Sequence, residues 1–397
     1  MSMNEHSSPG TARRKHKLAI MVNMISPARI PLYSALADRF DLLLLHGGNE
    51  SNRDTWGGAE SQLPHAHVVK AWGWQIPLSR HVRGRIFDRR YLHVTPGYLW
   101  QLFRFRPDVI VTNEMGLRTL LALTYSTIAR KPVWVWWGGT LHTEHSIGVI
   151  KRTVRSLIAR WAKRWISYGR SSTEYLLTLG IDRGSVLELQ NAVDEGQFRG
   201  TVEAACKFEP PPVLLHVGQF TARKGIEALL RAAAAHQNRG RIFSLVFVGS
   251  GPDKGAAEQL SGELELKNVH FLPPQEPAKM PSIYKSADVL VFPTLEDVWG
   301  LVANEAILSG LPVLCSKYAG CANELFDPES IFNPADPEEF SRKLGEAIDL
   351  RLPSPDPSRL LSTPELVRDI VHALEHSCLH SGRLFRGARR EFDRRGV

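Results

Sequence analysis

From Lys17 onward the apolar residues fall into two alternating rhythms. Short unbroken runs, Leu18–Val22, Leu42–Leu45, Val109–Val111, Val133–Trp137 and Ile166–Tyr168, are separated by stretches with helical periodicity, of which Pro31–Phe40 is the first. Uninterrupted apolar runs predict strands buried on both faces, and strands spaced by helices predict parallel βαβ units. Over Gly200–Pro212 the rhythm lapses into Gly-Thr-Val-Glu-Ala-Ala-Cys-Lys-Phe-Glu-Pro-Pro-Pro, a composition break that reads as a linker. It resumes with strands at Val213–Val217, Leu245–Val248, Val289–Phe292 and Pro312–Cys315, and with a helix that sets Ile226, Leu229, Leu230 and Ala233 on one face. The expected fold class is α/β, with two Rossmann-like, doubly wound domains facing across a cleft. The expected boundaries are a disordered N-terminus over 1–16, a first domain over 17–200, a linker over 201–212, a second domain over 213–375 and a basic tail over 376–397. Two readings of the Arg-dense end, Arg383–Arg395, stay open: a solvated tail, or a helix that packs back on the first domain.

A length of 397 residues suits two domains. The composition, 43% apolar and 23% charged, is that of a globular chain. Cys206, Cys315, Cys321 and Cys378 form no metal-type pair, so free thiols in a reducing compartment are expected. No stretch reaches the roughly 18 uncharged apolar residues of a membrane span, because Arg130, Lys131 and Pro132 interrupt Leu120–Trp137. Met1–Lys17 lacks the pattern of a cleaved signal, and the expected location is the cytoplasm. The formal charge of +8 favours anionic partners and leaves their kind open. Ile150–Trp165 is amphipathic, with Ile150, Val154, Leu157, Ile158, Trp161 and Trp165 on one stripe and Lys151, Arg152, Arg155, Lys163 and Arg164 mostly off it. The first reading is an apolar stripe buried against the sheet; the second is a helix lying on an anionic membrane. Arg80–Arg90, with Arg83, Arg85, Arg89 and Arg90 beside Tyr91, Tyr98 and Trp100, adds a second cationic patch, which fits a lipid-linked saccharide at the membrane's inner face.

The candidate chemistry lies in the second half. Pro293-Thr-Leu-Glu-Asp-Val-Trp-Gly-Leu-Val-Ala-Asn-Glu-Ala-Ile-Leu runs from a strand through a loop into a helix. Such a loop delivers Asp297, Trp299 and Gly300 to the carboxyl edge of a parallel sheet, where these folds bind ligands. The helix starting at Leu301 and Val302 aims free N–H groups and a positive dipole end at the same place. Glu305, one turn in, can accept two hydrogen bonds from a ribose diol. The plainer reading of Asp297 and Glu305, a cap and a dipole partner, stays open. Val217-Gly-Gln-Phe-Thr-Ala-Arg-Lys-Gly225 likewise joins a strand to a helix, where Gly218, Gln219, Arg223 and Lys224 can cradle phosphates. Val248-Gly-Ser-Gly-Pro252 ends its strand in a glycine pair, Gly249 and Gly251.

The first of these segments resembles the acid-x7-Glu motif of the family 4 retaining glycosyltransferases of the GT-B fold (glycosyl transferases group 1), with Asp297 and Glu305 at its two acidic positions. The resemblance covers most of Val213–Asp336, including Asn268-Val-His-Phe-Leu272 and Ser286-Ala-Asp-Val-Leu-Val-Phe-Pro293. It implies that Glu305 holds the donor ribose, that Asp297 contacts the transferred sugar and that Lys224 meets the diphosphate. This chain departs from the family at Asp297, usually Glu, with Glu296 beside it as an alternative, and at Gln219, usually Arg, with Arg223 as a possible substitute cation. In the first half, Asn191-Ala-Val-Asp194 with Phe198 is similar to the family's hinge sequence. His142, in Gly138-Gly-Thr-Leu-His-Thr-Glu-His145, takes the place of an active-site His, with Glu144 and His145 close behind and Arg29 on the acceptor side.

The resemblance implies an enzyme that moves a hexose-type sugar from a nucleotide diphosphate donor, most often uridine-linked, to a saccharide or lipid-linked acceptor in glycan or cell-surface polysaccharide synthesis. No Asp-x-Asp triplet occurs, so a metal-independent reaction without a cofactor is expected. The competing classes are a silent nucleotide-sugar binder, an epimerase of the same fold and a nucleic-acid binder. The last is disfavoured, because basic and aromatic residues are scattered rather than interleaved on one platform.

Overall fold

The computed structural model describes residues 14–48, 58–82, 85–198 and 202–379. The first sheet holds β1 (Lys17–Val22), β2 (Asp41–His46), β3 (Ala66–Lys70), β6 (Val109–Asn113), β7 (Val133–Trp137), β8 (Trp165–Tyr168) and β9 (Val186–Leu189). A separate antiparallel hairpin is formed by β4 (Trp74–Val82) and β5 (Arg85–Val94). The second sheet holds β10 (Val213–Val217), β11 (Ser244–Val248), β12 (Val269–Leu272), β13 (Val289–Phe292), β14 (Val313–Ser316) and β15 (Ile331–Phe332). Both large sheets are parallel, in the orders β3-β2-β1-β6-β7-β8-β9 and β12-β11-β10-β13-β14-β15. The α/β, two-domain architecture expected from the sequence is the one observed.

Each sheet is covered on both faces, with Leu18, Ile20 and Trp134 in one core layer of the first domain and Ala19, Ile110 and Val135 in the other. The second domain repeats this, with Leu215, Phe292 and Trp299 on one side of its sheet and Leu214, Phe247 and Leu314 on the other. Burial on both faces is why the strand residues read as unbroken apolar runs. In each sheet the strand order reverses beside the first strand, between β1 and β6 and between β10 and β13. A crevice opens at such a reversal, outside the carboxyl ends of the strands. The segments after β1, β10 and β13 therefore sit at the edge where open parallel sheets in general take up ligands.

Four expectations change. The helix Thr363–Leu379 does not close the second domain, since Leu366, Ile370, Ala373 and Leu374 are buried in the first domain's core and Trp134 Nε1 donates to Ser377 Oγ at 3.1 Å. The boundary of the second domain at 375 thus overruns the crossing of the chain back to its partner domain. Trp165 is not on the amphipathic helix, which spans Val149–Trp161, but opens β8. The stripe of that helix is only partly buried: Ile158 is covered, while Val149, Ile150 and Leu157 are 76%, 81% and 50% exposed. Finally, the described residues of the Arg80–Arg90 stretch belong to the two hairpin strands, and Arg80 binds the second domain rather than facing solvent as part of a patch. Arg83, the side chains of Arg85, Arg89 and Arg90, and the stretch Arg383–Arg395 lie outside the described residues.

All four cysteines are free thiols. Among the described residues no helix is long and apolar enough to cross a membrane.

Candidate functional site

The loop after β10 is built for close approach. Its Gly218 N–H donates to Val248 O at 3.0 Å, and Phe220 N–H donates to Ser250 O at 2.9 Å. The two glycine-bearing turns are therefore stitched backbone to backbone. A Cβ on Gly249 would lie 1.9 Å from Gly218 O, and one on Gly251 would lie 2.4 Å from Phe220 O. Only glycine fits at either place. The loop then tightens into a 3₁₀ turn over Ala222–Lys224 and ends at Gly225, whose φ of +70° any side chain would strain.

The turn presents Lys224 to the loop after β13. Its Nζ lies 2.6 Å from Asp297 Oδ2, with the Arg223 guanidinium 3.7 Å from the same oxygen. Asp297 also accepts from Trp299 N–H at 3.2 Å. Burial alone would raise the Asp297 carboxyl, but the ammonium of Lys224, then Arg223, then these hydrogen bonds outweigh it and hold it below the usual carboxylate range. The pair is thus an ionised carboxylate bound to a cation at the carboxyl edge of the second sheet. Arg223 further donates to Glu296 O at 2.7 Å, so both cations after β10 grip the acidic loop.

Asp297 and Glu296 divide the two acidic options. Asp297 faces Lys224, whereas the Glu296 carboxylate, 7% exposed, pairs with Arg80 Nη1 of the hairpin at 2.7 Å. Arg80 also donates to Ser146 Oγ at 3.0 Å and lies over the Phe87 ring. Sequence reasoning missed this residue as a cross-domain contact, because nothing in a run of arginines tells which one turns inward.

The helix Leu301–Leu308 starts at Gly300, where φ is +106° and a Cβ would meet the Phe292 ring at 2.4 Å. Leu301 and Val302 form its first turn, whose N–H groups have no partner within a helix. Glu305 follows one turn later and accepts from Tyr284 O–H at 2.5 Å. Burial pushes the Glu305 carboxyl up to about 7, only partly offset by the Tyr284 hydrogen bond. Tyr284 was not foreseen, and its distance of 21 residues from Glu305 in the chain explains why.

Trp299 was expected to contact a donor, but its indole is 1% exposed and its Nε1 donates to Asn304 Oδ1 at 2.8 Å. Asn304 in turn donates to Asn191 O of the first domain at 3.0 Å, so Trp299 belongs to a buried tie between domains. A second tie is Glu324, which accepts from Arg170 N–H at 2.5 Å across the same interface.

From the first domain, Thr140 caps the short helix Leu141–Glu144 and places His142 over the cleft. His142 Nε2 lies 2.8 Å from Leu295 O, and its ring stacks on Tyr318 with centroids 4.0 Å apart at 12°. His142, Tyr318, Lys317, Thr140 and Ser171 line a cavity of about 130 Å³ between the domains. His145 is exposed, with its ring stacked on His142. Glu144, expected on the acceptor side, is instead paired with Arg155, whose guanidinium lies over Trp137. The capping geometry that aims His142 at the cleft turns Glu144 inward. Arg29 ends the turn after β1, 9% exposed against Trp136. Gln219 follows Gly218 at the mouth of the first loop, its backbone carbonyl accepting from Thr221 N–H at 3.0 Å. Among the described residues no group of three or more His, Cys, Asp or Glu is placed to hold a metal ion.

Two glycine-bearing turns, a lysine held by an acid and a helix start converge at one sheet edge, and the same stretch of chain matches a family model. Residues 202–359 match glycosyl transferases group 1. The second domain is thus similar to that of the group 1 glycosyltransferases. The chain is 28% identical over 222 residues to D-inositol 3-phosphate glycosyltransferase of Nocardia farcinica, covering 48% of this chain and 49% of that protein. It is 27% identical over 311 residues to D-inositol 3-phosphate glycosyltransferase 2 of Catenulispora acidiphila, covering 68% and 72%. In the first of these relatives the matched region spans about half the relative's length. The fold is similar to Anabaena HepE in complex with UDP and glucose, with a TM-score of 0.69 at 18% identity over 91% of this chain and 99% of that one. The two Rossmann-like domains of this chain therefore adopt the GT-B arrangement of such structural neighbours.

Proposed function

We propose that the chain is a retaining, metal-independent glycosyltransferase of family 4. It moves a hexose-type sugar from a nucleotide diphosphate, with uridine as the first choice, to a saccharide or lipid-linked saccharide acceptor in glycan or cell-surface polysaccharide synthesis. The observation that carries this reading is Lys224, held by Asp297 under the paired glycine turns and opposite the start of the helix Leu301–Leu308. A diphosphate in that crevice meets cations from Lys224 and Arg223 and N–H groups from Leu301 and Val302. The likeness to a structure that holds UDP and glucose supports the choice of donor.

In the reaction, the bond between the sugar's anomeric carbon and the outer phosphate oxygen breaks while the acceptor hydroxyl oxygen bonds to the same carbon on the same face. The hydroxyl proton passes to the departing phosphate, so no dedicated protein base is required. Charge grows on the outer phosphate as the bond breaks, and the fixed cations and dipoles of the crevice stabilise it more in the transition state than in the ground state. His142, aimed into the cleft by Thr140, sits on the sugar side.

Thermal midpoints measured with a set of nucleotide sugars should rise by several degrees for one nucleotide class, with product formed from that donor in the presence of EDTA. No shift with any uridine or guanosine donor would rule the reading out. Shift without transfer or hydrolysis would identify a silent binder, the class that the departures at Gln219 and Asp297 favour.

The first domain docks peripherally on anionic lipid. Support comes from the exposed Val149, Ile150 and Leu157 on the cationic helix and from a cavity of about 240 Å³ beside Trp161 lined by Arg130, Lys131, Lys163 and Arg164. In liposome flotation the chain should rise with vesicles containing phosphatidylglycerol and stay down with neutral ones; equal behaviour on both counts against docking.

A further inference from the structure

The turn after β1 leaves an unusual group at the cleft. Arg29 is only 9% exposed, yet its Nη1 and Nη2 are buried and have no hydrogen-bond partner among the described residues. Nor does it pair with any carboxylate among those residues. Its guanidinium instead lies against two rings that touch each other edge to face, 4.4 Å from the Trp136 centroid and 5.2 Å from that of Tyr168. Trp136 Nε1 is likewise buried without a partner. Three buried N–H-bearing nitrogens on two side chains in contact thus have nothing to receive their hydrogens.

The position is functional rather than remote. Arg29 follows β1 at the strand-order reversal of the first sheet, Trp136 is near the carboxyl end of β7, and Tyr168 ends β8. Tyr168 also packs against the core of the second domain, so its ring stands at the floor between the two. The phosphate-type cations, Arg223 and Lys224, belong to the opposite domain.

A buried arginine without a counter-charge is unfavourable, and stacking on rings offsets only part of that. A planar fork of donors beside an indole N–H matches an oxyanion, which can accept from both guanidinium nitrogens at once. The geometry points to an acceptor that carries a negative group, a phosphate or a carboxylate, bound by Arg29 and Trp136 Nε1 beside the rings of Trp136 and Tyr168. This deepens the transferase reading and rests on it, by assigning the acceptor a charge class and a specificity residue.

The test uses the full chain saturated with UDP, so that the diphosphate crevice is filled, at an ionic strength held constant with sodium chloride. Thermal midpoints are followed while inorganic phosphate, or in a separate arm acetate, replaces chloride. The wild type should show a saturable rise with at least one of the two, and the arm that responds says whether the acceptor's charge is a phosphate or a carboxylate. Arg29→Met, which keeps the apolar stack, should lose that rise; Arg29→Lys and Trp136→Phe should need at least several times more anion for half effect. Absence of a rise in the wild type with both anions overturns the site, as does a wild-type response in Arg29→Met, which would make Arg29 a packing residue. Should Arg29→Met fail to fold, wild-type responses in both Arg29→Lys and Trp136→Phe overturn it equally. A wild type that UDP itself does not stabilise marks failure of the donor assignment instead, and the anion titration is then read without UDP.

Discussion

Lys224→Ala is expected to lower the rate of sugar transfer by two to three orders of magnitude, about 3–4 kcal/mol of transition-state stabilisation. The expectation follows from where the ammonium sits. It is 12% exposed, bonded to Asp297 at 2.6 Å, and carried on a turn closed by Gly225, where no side chain fits. A cation fixed in this way needs no reorganisation when charge appears on the departing phosphate, and removing it costs more in the transition state than in donor binding. The fall should therefore be mainly in kcat, with a smaller rise in KM for the donor. Alanine also leaves the buried Asp297 with Arg223 at 3.7 Å as its remaining cation, so the thermal midpoint should drop as well. Adding Asp297→Asn to Lys224→Ala should restore most of the midpoint but not the rate, which separates the structural loss from the chemical one. Initial rates with saturating donor measure the effect; a Lys224→Ala enzyme at full rate would end the assignment of the diphosphate crevice.

The elements that read clearly in the sequence are those whose environment is uniform. Val133–Trp137, Val213–Val217 and Val289–Phe292 are strands over the expected residues because each is apolar on both faces and bounded by turns. The hairpin β4–β5 did not read, because its apolar residues are in part exposed, Trp74 at 62% and Leu92 at 46%, and its arginines mask the alternation. The helix Thr363–Leu379 has an ordinary amphipathic face, and periodicity says that a face is buried without saying in which domain. The site behaves in the same way. Loops tied to glycines could be located by spacing, since the glycine requirement is local: at Gly225, Gly249 and Gly300 backbone or ring atoms leave no room for a side chain. Side-chain directions could not. Trp299 and Glu144 lie within motif segments yet turn to Asn304 and Arg155, because their partners come from residues that no spacing rule connects to them. Arg80, Tyr284 and Tyr318 meet the site only through tertiary pairing, with Glu296, Glu305 and His142.

Glu305→Gln is expected to stabilise the unliganded chain at pH 8 while weakening nucleotide binding about tenfold or more, the scale of a lost charge-assisted hydrogen bond. The carboxyl is raised by burial from its ordinary 4.5 to about 7. An unfolded chain releases this proton near pH 4.5, whereas the folded chain holds it until about pH 7. Between those values the folded state binds more protons, so its stability falls as pH rises, and above the folded value the full cost remains, on the order of 3 kcal/mol. Glutamine cannot ionise and escapes that cost, while its side-chain oxygen can still accept from Tyr284. The difference in thermal midpoint between variant and wild type should therefore be several degrees at pH 8 and shrink toward zero near pH 5. Glu324, also pushed by burial up to about 7, titrates over the same range in both proteins and cancels from that difference. Binding should show the opposite dependence. A ribose diol donates to the carboxylate best when it is ionised, so wild-type affinity for UDP should weaken as pH falls through 7, whereas the affinity of Glu305→Gln should stay flat. Titration calorimetry at pH 6 and pH 8 measures both trends. Equal UDP affinity in the two proteins at pH 8 would remove Glu305 from the donor site and leave its burial as a purely structural cost, one that a chain without a ligand at this place has no reason to keep.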